Sequence, residues 1–222
     1  MGKENSTEIF ASFRHRNCSS LSLTRVSNNM PIELKKGAPL KKGINLTKLT
    51  DERGMALEQI YIGLGWDVTG PGIDLDASVA CLTTSEKLLA NEWFVFYNNL
   101  TSPDGQTIVH SGDNRTGQGE GDDESLRLDL TRIPPQVVKI LLIISIHDAN
   151  GKNFTNVQNA FFRIVNSKTN QETHRLDLSA GQAGQTECLI FAEVVREGNG
   201  WGIKPVCYSI PSLSALIGNI QV

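Results

Sequence analysis

The sequence predicts an all-β fold, a two-sheet β-sandwich with a few short helices. Three observations carry this. Short apolar stretches recur with turn-forming residues between them, several alternate apolar and polar residues, and neither a long amphipathic helix nor an α/β alternation interrupts them. The 222 residues suit one domain, and a hydrophobic content of 39% suffices for one core. Residues 1–29 stand apart. They hold six serines, four basic and two acidic residues and little periodic hydrophobicity, which reads as a disordered leader. Met30 then opens a different text and is a candidate internal start, with the domain spanning 30–222.

Each element follows from its pattern. Ile60, Ile62 and Leu64 alternate with other residues up to Trp66-Asp67, and Val79 to Leu82 and Trp93 to Tyr97 are short apolar or aromatic runs. Leu126, Leu128 and Leu130 alternate with Arg127 and Asp129, as a half-buried strand does. Val137 to Ile146 is rich in β-branched residues and reads as a central strand covered on both faces; it is too short to cross a membrane and is interrupted by Lys139. Ala160 to Val165 and Thr173 to Leu178 flank a hairpin. Glu187 to Arg196 and Trp201 to Tyr208 flank another at Gly198-Asn199-Gly200. Short helical turns are expected at Pro134–Val138 and Asn153–Val157, and a last short helix over Ser212–Ile217 after Pro211. Trp66, Trp93 and Trp201 read as packing residues.

A net charge of −3 with no concentration of Lys and Arg argues against nucleic acid as a partner. The four cysteines, at 18, 81, 188 and 207, have neither zinc-knuckle nor redox spacing and read as free thiols. The opening Met1-Gly2-Lys3-Glu4-Asn5-Ser6 fits a myristoylation pattern short enough to arise by chance.

The acidity is local. Asp113, Glu120, Asp122, Asp123 and Glu124 fall within twelve residues, separated mostly by glycines and offset only by Arg115. Two like charges 4 Å apart repel by about 1 kcal/mol in water and about 4 at an effective dielectric near 20, so such a run predicts a cation. A second acidic group, Asp67, Asp74 and Asp76, has no Lys or Arg between its members. Strand alternation in Asp74-Leu75-Asp76 puts both carboxylates on one face and leaves Leu75 for the core. Asn98, Asn99 and Asn114 can add amide oxygens. Calcium takes roughly 6–8 oxygens from carboxylates, amides and backbone carbonyls, which makes Ca2+ the expected ion; magnesium keeps more of its waters. The loop is no EF-hand, because the Asp-x-Asp-x-Asp-Gly order is missing, and no phosphate loop, because no Gly-Lys-Ser/Thr follows its glycines. His147-Asp148 ends the central strand. It reads either as a histidine bonded locally or as a general acid–base pair, and the local reading is favoured because no nucleophile motif accompanies it.

Several of these pieces, in this order, resemble the TerD family of tellurium-resistance and stress-response proteins. They are Gly63-Leu64-Gly65-Trp66-Asp67, Asp74-Leu75-Asp76-Ala77-Ser78, Phe94-Val95-Phe96-Tyr97-Asn98-Asn99-Leu100, Gly112-Asp113-Asn114-Arg115-Thr116-Gly117 with Glu120-Gly121-Asp122-Asp123-Glu124, Ile146-His147-Asp148-Ala149, and Asn159-Ala160-Phe161-Phe162-Arg163-Ile164-Val165-Asn166. The similarity covers Met30 to Val222, and it extends to the cyclic-AMP-binding relatives in slime moulds. The leader, the segment Leu46 to Glu58 and the ending Cys207 to Ser214 depart from the family pattern. The resemblance implies a two-sheet sandwich, calcium at the acidic loops and a non-enzymatic, cytoplasmic role in stress or tellurite tolerance. Its implied partners are other Ter-type proteins, through which the chain would associate peripherally with membranes. The competing expectations are a metal-dependent hydrolase using the acids with His147, and a calcium-dependent sensor of a small ligand or cyclic nucleotide.

Overall fold

A computed structural model of the chain describes residues 46–67, 72–114, 121–178 and 185–222. The expected leader 1–29 and Glu120 lie outside them. Eleven strands occur among the described residues: β1 (Thr47–Lys48), β2 (Gln59–Asp67), β3 (Leu75–Leu82), β4 (Phe94–Val95), β5 (Ile108–His110), β6 (Glu124–Asp129), β7 (Lys139–Ile146), β8 (Gln158–Asn166), β9 (Gln171–Leu178), β10 (Cys188–Glu197) and β11 (Gly200–Ile210). One α-helix, α1 (Leu213–Ile220), follows them. The strands form two sheets, one in the order β1-β11-β10-β7-β3-β4 and one in the order β5-β6-β2-β8-β9, and every strand pair is antiparallel. The two-sheet sandwich expected from the sequence is what the chain forms.

Alternation builds the core. Ile60, Ile62 and Leu64 from β2 and Leu126 and Leu128 from β6 face Val79, Ile140, Leu142 and Ile144 from the other sheet. β7 is interior to its sheet and covered on both faces, as its composition predicts. Leu141 and Ile143 point outward into a second, smaller cluster, roofed by Leu216 and Ile220 of α1. Each such side chain contributes about 1.5–3 kcal/mol by leaving water. The helix starts where Ser212 accepts the Ala215 N–H, a cap of about 1 kcal/mol. The turn expected over 153–157 is a short 3-10 helix, Phe154–Asn156, capped by Asn153. The stretch 134–138 makes only a turn, closed by Val137 N–H to Pro134 O. Trp93 belongs to a 3-10 turn, Asn91–Trp93, and the strand there shrinks to two residues. Strands β1 and β5 are too short to show periodicity, and no sequence pattern predicts them.

Cys81, Cys188 and Cys207 are buried free thiols. Burial pushes the Cys188 thiol up to about 12, which leaves it unreactive.

Candidate metal centre

The site grows from an edge. β4 pairs with β3 only at Val79 and Ala80, so the Ala77 backbone has no strand partner on that side. Two side chains from the opposite sheet take its place. The Ala77 N–H donates to Glu124 Oε2 (2.7 Å), and His110 Nε2 donates to the Ala77 carbonyl (3.0 Å). The Gly112 N–H donates to His110 Nδ1 (2.9 Å), which puts the ring proton on Nε2. Glu124 and His110 are both fully buried and lie 3.6 Å apart. They close the sandwich where the strands separate, and they hold the two acidic segments against each other.

On that edge Asp74, Asp76 and Asp113 come together, with one carboxylate oxygen from each within 4.8 Å of the others. Leu75 turns into the core between the two aspartates of β3, as alternation requires. Asp76 is 2% exposed, and its Oδ1 accepts no hydrogen bond among the described residues. Burial, reinforced by Glu124 and Asp74, pushes its carboxyl up to about 7, while His147 pulls the other way. His147 Nδ1 stands 3.4 Å from Asp76 Oδ2, and its Nε2 stands 3.7 Å from Asp148. The His147 backbone N–H donates to Asp74 O (2.9 Å), and its ring lies edge-on to Tyr97 at 5.1 Å. The histidine thus stands between two carboxylates, Asp76 and Asp148, a placement open to both readings of it.

The remaining predicted residues divide. Asp123 Oδ2 accepts the Trp66 N–H (3.0 Å), and its Oδ1 accepts from Asn114 Nδ2 (3.3 Å). Burial raises its carboxyl, and the Trp66 bond draws it back. The Asn114 N–H donates to Glu124 Oε1 (3.3 Å). These three residues thus tie the acidic run to the end of β2 and to β3. Asp67 is exposed and accepts from Asn159 Nδ2 (2.7 Å). Asp122 turns away from the cluster, to the outer face of β2, where Arg163 Nε and Nη2 each donate to it at 2.8 Å. Asn98 is exposed, and the Asn99 amide donates to the carbonyls of Phe94 and Glu92, closing a local turn.

The sequence reading missed His110, Arg163 and Asn159. Arg163 had a readable signal, because the run of acids around Asp122 needs a counter-charge and Arg163 alternates with the apolar Phe162 and Ile164 of β8. The glycines of β2 now have a reason. A Cβ at Gly63 would lie 2.3 Å from the Asp122 carboxyl, and one at Gly65 would lie 2.5 Å from the Gly121 carbonyl oxygen. The acidic run crosses the strand there, in space that only glycine leaves open.

Comparison with known proteins agrees with this architecture. The TerD domain family model matches residues 30–217. The tellurium resistance protein TerD of Serratia marcescens is 39% identical over 172 residues, covering 75% of this chain and 88% of that protein. General stress protein 16U of Bacillus subtilis is 40% identical over 183 residues, covering 80% and 90%. A crystal structure of a TerD homologue from Streptomyces coelicolor A3(2) superposes with a TM-score of 0.61 at 24% identity, covering 75% of this chain and 99% of that one, and so supports the fold. With the family model covering most of its length and these relatives at this identity, the chain belongs to the TerD family.

Proposed function

We propose that this chain is a calcium-binding stress-response protein of the tellurium-resistance type, not an enzyme, and that Asp74, Asp76 and Asp113 hold the ion. One observation carries the reading. Three carboxylates converge within 4.8 Å, and the most buried of them has an oxygen with no hydrogen-bond donor among the described residues. A buried acceptor left unsatisfied costs about 1–3 kcal/mol, and a cation would satisfy it. The donors are hard oxygens, the type calcium selects over softer metals. Asp123, Glu124 and Asn114 brace the loop. The stress and tellurite role rests on the names of the relatives, since no sequence motif marks tellurite binding or reduction.

Calorimetric titration of the full chain with calcium, with magnesium as competitor, tests the site. Saturable calcium binding that Asp76→Asn and Asp113→Asn each weaken at least tenfold is expected, with Glu197→Ala unchanged. Absence of heat, or equal affinity for magnesium, would end the calcium reading. The cytoplasm, other Ter-type proteins as partners and peripheral membrane association through them belong to the same proposal. Co-purification with and without calcium checks the partners. No helix among the described residues is long and apolar enough to cross a membrane.

A hydrolase reading has one observation behind it, the placement of His147 between Asp76 and Asp148. Calcium-dependent turnover of a phosphoester or peptide that vanishes in His147→Ala would favour it. We expect no turnover, because no nucleophile motif accompanies His147.

A further inference from the structure

The outer face of the five-stranded sheet carries a groove of about 780 Å³, a size that suits a small organic ligand. No strand or helix among the described residues covers it. Its floor is one row across three neighbouring strand pairs: Val109 pairs with Arg127, Arg127 with Tyr61, and Tyr61 with Val165. The floor therefore sets two valines beside an aromatic ring and a guanidinium.

Its walls are held in place without a ligand. At one end Asp104 accepts from Ser102 Oγ, Gln106 N and both the N–H and the hydroxyl of Thr107. These bonds hold its carboxyl well below the usual range and fix the loop that carries Gln106. At the other end Asn166 gathers the hairpin. Its Oδ1 accepts the Lys168 N–H, and its backbone carbonyl accepts from Thr169 and Asn170. Asn170 sits at φ 54°, which fixes the turn.

The other charged groups of this lining are engaged by ion pairs or hydrogen bonds. Arg163 is taken by Asp122 and, at 3.6 Å, by Glu172. Asp129 accepts from Gln59 Nε2 and from Thr131. The Arg127 side chain makes no hydrogen bond or ion pair among the described residues, and it is the cation left over.

We propose that this groove binds a small organic anion with an apolar body, its charge on Arg127 and its body along Val109, Tyr61 and Val165. The site lies on the face opposite the core from the acid cluster's sheet and is independent of the calcium reading. Fluorescence titration of the full chain with 8-anilinonaphthalene-1-sulfonate, in calcium and in chelator, tests it. Saturable binding is expected, weakened about tenfold or more in Arg127→Gln through loss of a charge-assisted bond, and similarly in Val109→Asp, which sets a carboxylate on the floor. Lys204→Gln, on the other sheet, leaves it unchanged. Octanesulfonate displaces the probe while inorganic phosphate at the same concentration does not. Equal affinity of wild type and Arg127→Gln, or displacement by phosphate as effective as by octanesulfonate, overturns the proposal.

Discussion

Replacing Asp76 with asparagine should make the metal-free protein more stable. The Asp76 carboxyl is 2% exposed and is pushed from 3.8 to about 7, chiefly by burial and then by Glu124 and Asp74. A shift of one unit corresponds to about 1.4 kcal/mol, so roughly three units place up to about 4 kcal/mol against folding at pH 8, where the group is ionised both folded and unfolded. The sign follows from proton uptake. Between pH 7 and 4 the folded state holds a proton that the unfolded state lacks, so wild-type stability from this group rises as pH falls through 7. The asparagine amide would keep the shape and remove the charge. In urea unfolding with a chelator, D76N should exceed wild type by about 2–4 kcal/mol at pH 8, and the gap should shrink towards pH 5.5. Excess calcium should narrow the gap by about 1 kcal/mol or more. An ion at 100 times its Kd adds about 2.7 kcal/mol to wild type, and about 1.4 to a D76N protein that binds it tenfold more weakly. If D76N is the weaker protein in chelator at both pH values, the electrostatic reasoning is refuted. If calcium stabilises both alike, Asp76 is no ligand.

Three further outcomes are expected. Arg163→Ala strands the Asp122 carboxylate, whose side chain is only 4% exposed, and should cost about 2 kcal/mol or more; adding Asp122→Ala should recover much of that loss in a double-mutant cycle. Gly65→Ala drives a methyl against the Gly121 carbonyl and the Phe161 ring, so it should cost about 1–3 kcal/mol in thermal unfolding and weaken calcium binding by displacing the acidic run. His110→Ala removes the donor to the Ala77 carbonyl and leaves a cavity beside buried Glu124; a loss of about 2–3 kcal/mol is expected, and unchanged melting would show that the stitch between the sheets contributes nothing.

The strands with two-residue alternation or dense β-branching, β2, β6, β7 and β8, are legible because burial on one face or both dictates their composition. β1 and β5 are not, since two or three residues carry no period. Their existence is decided by partners far away in sequence, Ile203 for Thr47 and Leu128 for Ile108. His110 shows the same limit at the site. Its role arises only because β4 ends early and leaves the Ala77 backbone without a strand, a fact of sheet assembly that no local pattern contains.

The acidic motif shows where local reading stops. Alternation applied to Asp74-Leu75-Asp76 places both carboxylates together and Leu75 in the core, as the fold does. The run Asp122-Asp123-Glu124 enters a strand as well, so three neighbouring acids cannot all face one ion. Asp122 goes to Arg163 on the outer face of the sheet, Asp123 to the end of β2, and Glu124 to the free edge of β3. What reads as one set of ligands is a clamp on three partners, which brings Asp113 to within reach of Asp74 and Asp76. Density of charge in the sequence therefore locates the acid cluster, while the direction of each side chain decides which acids meet there and which hold the loop.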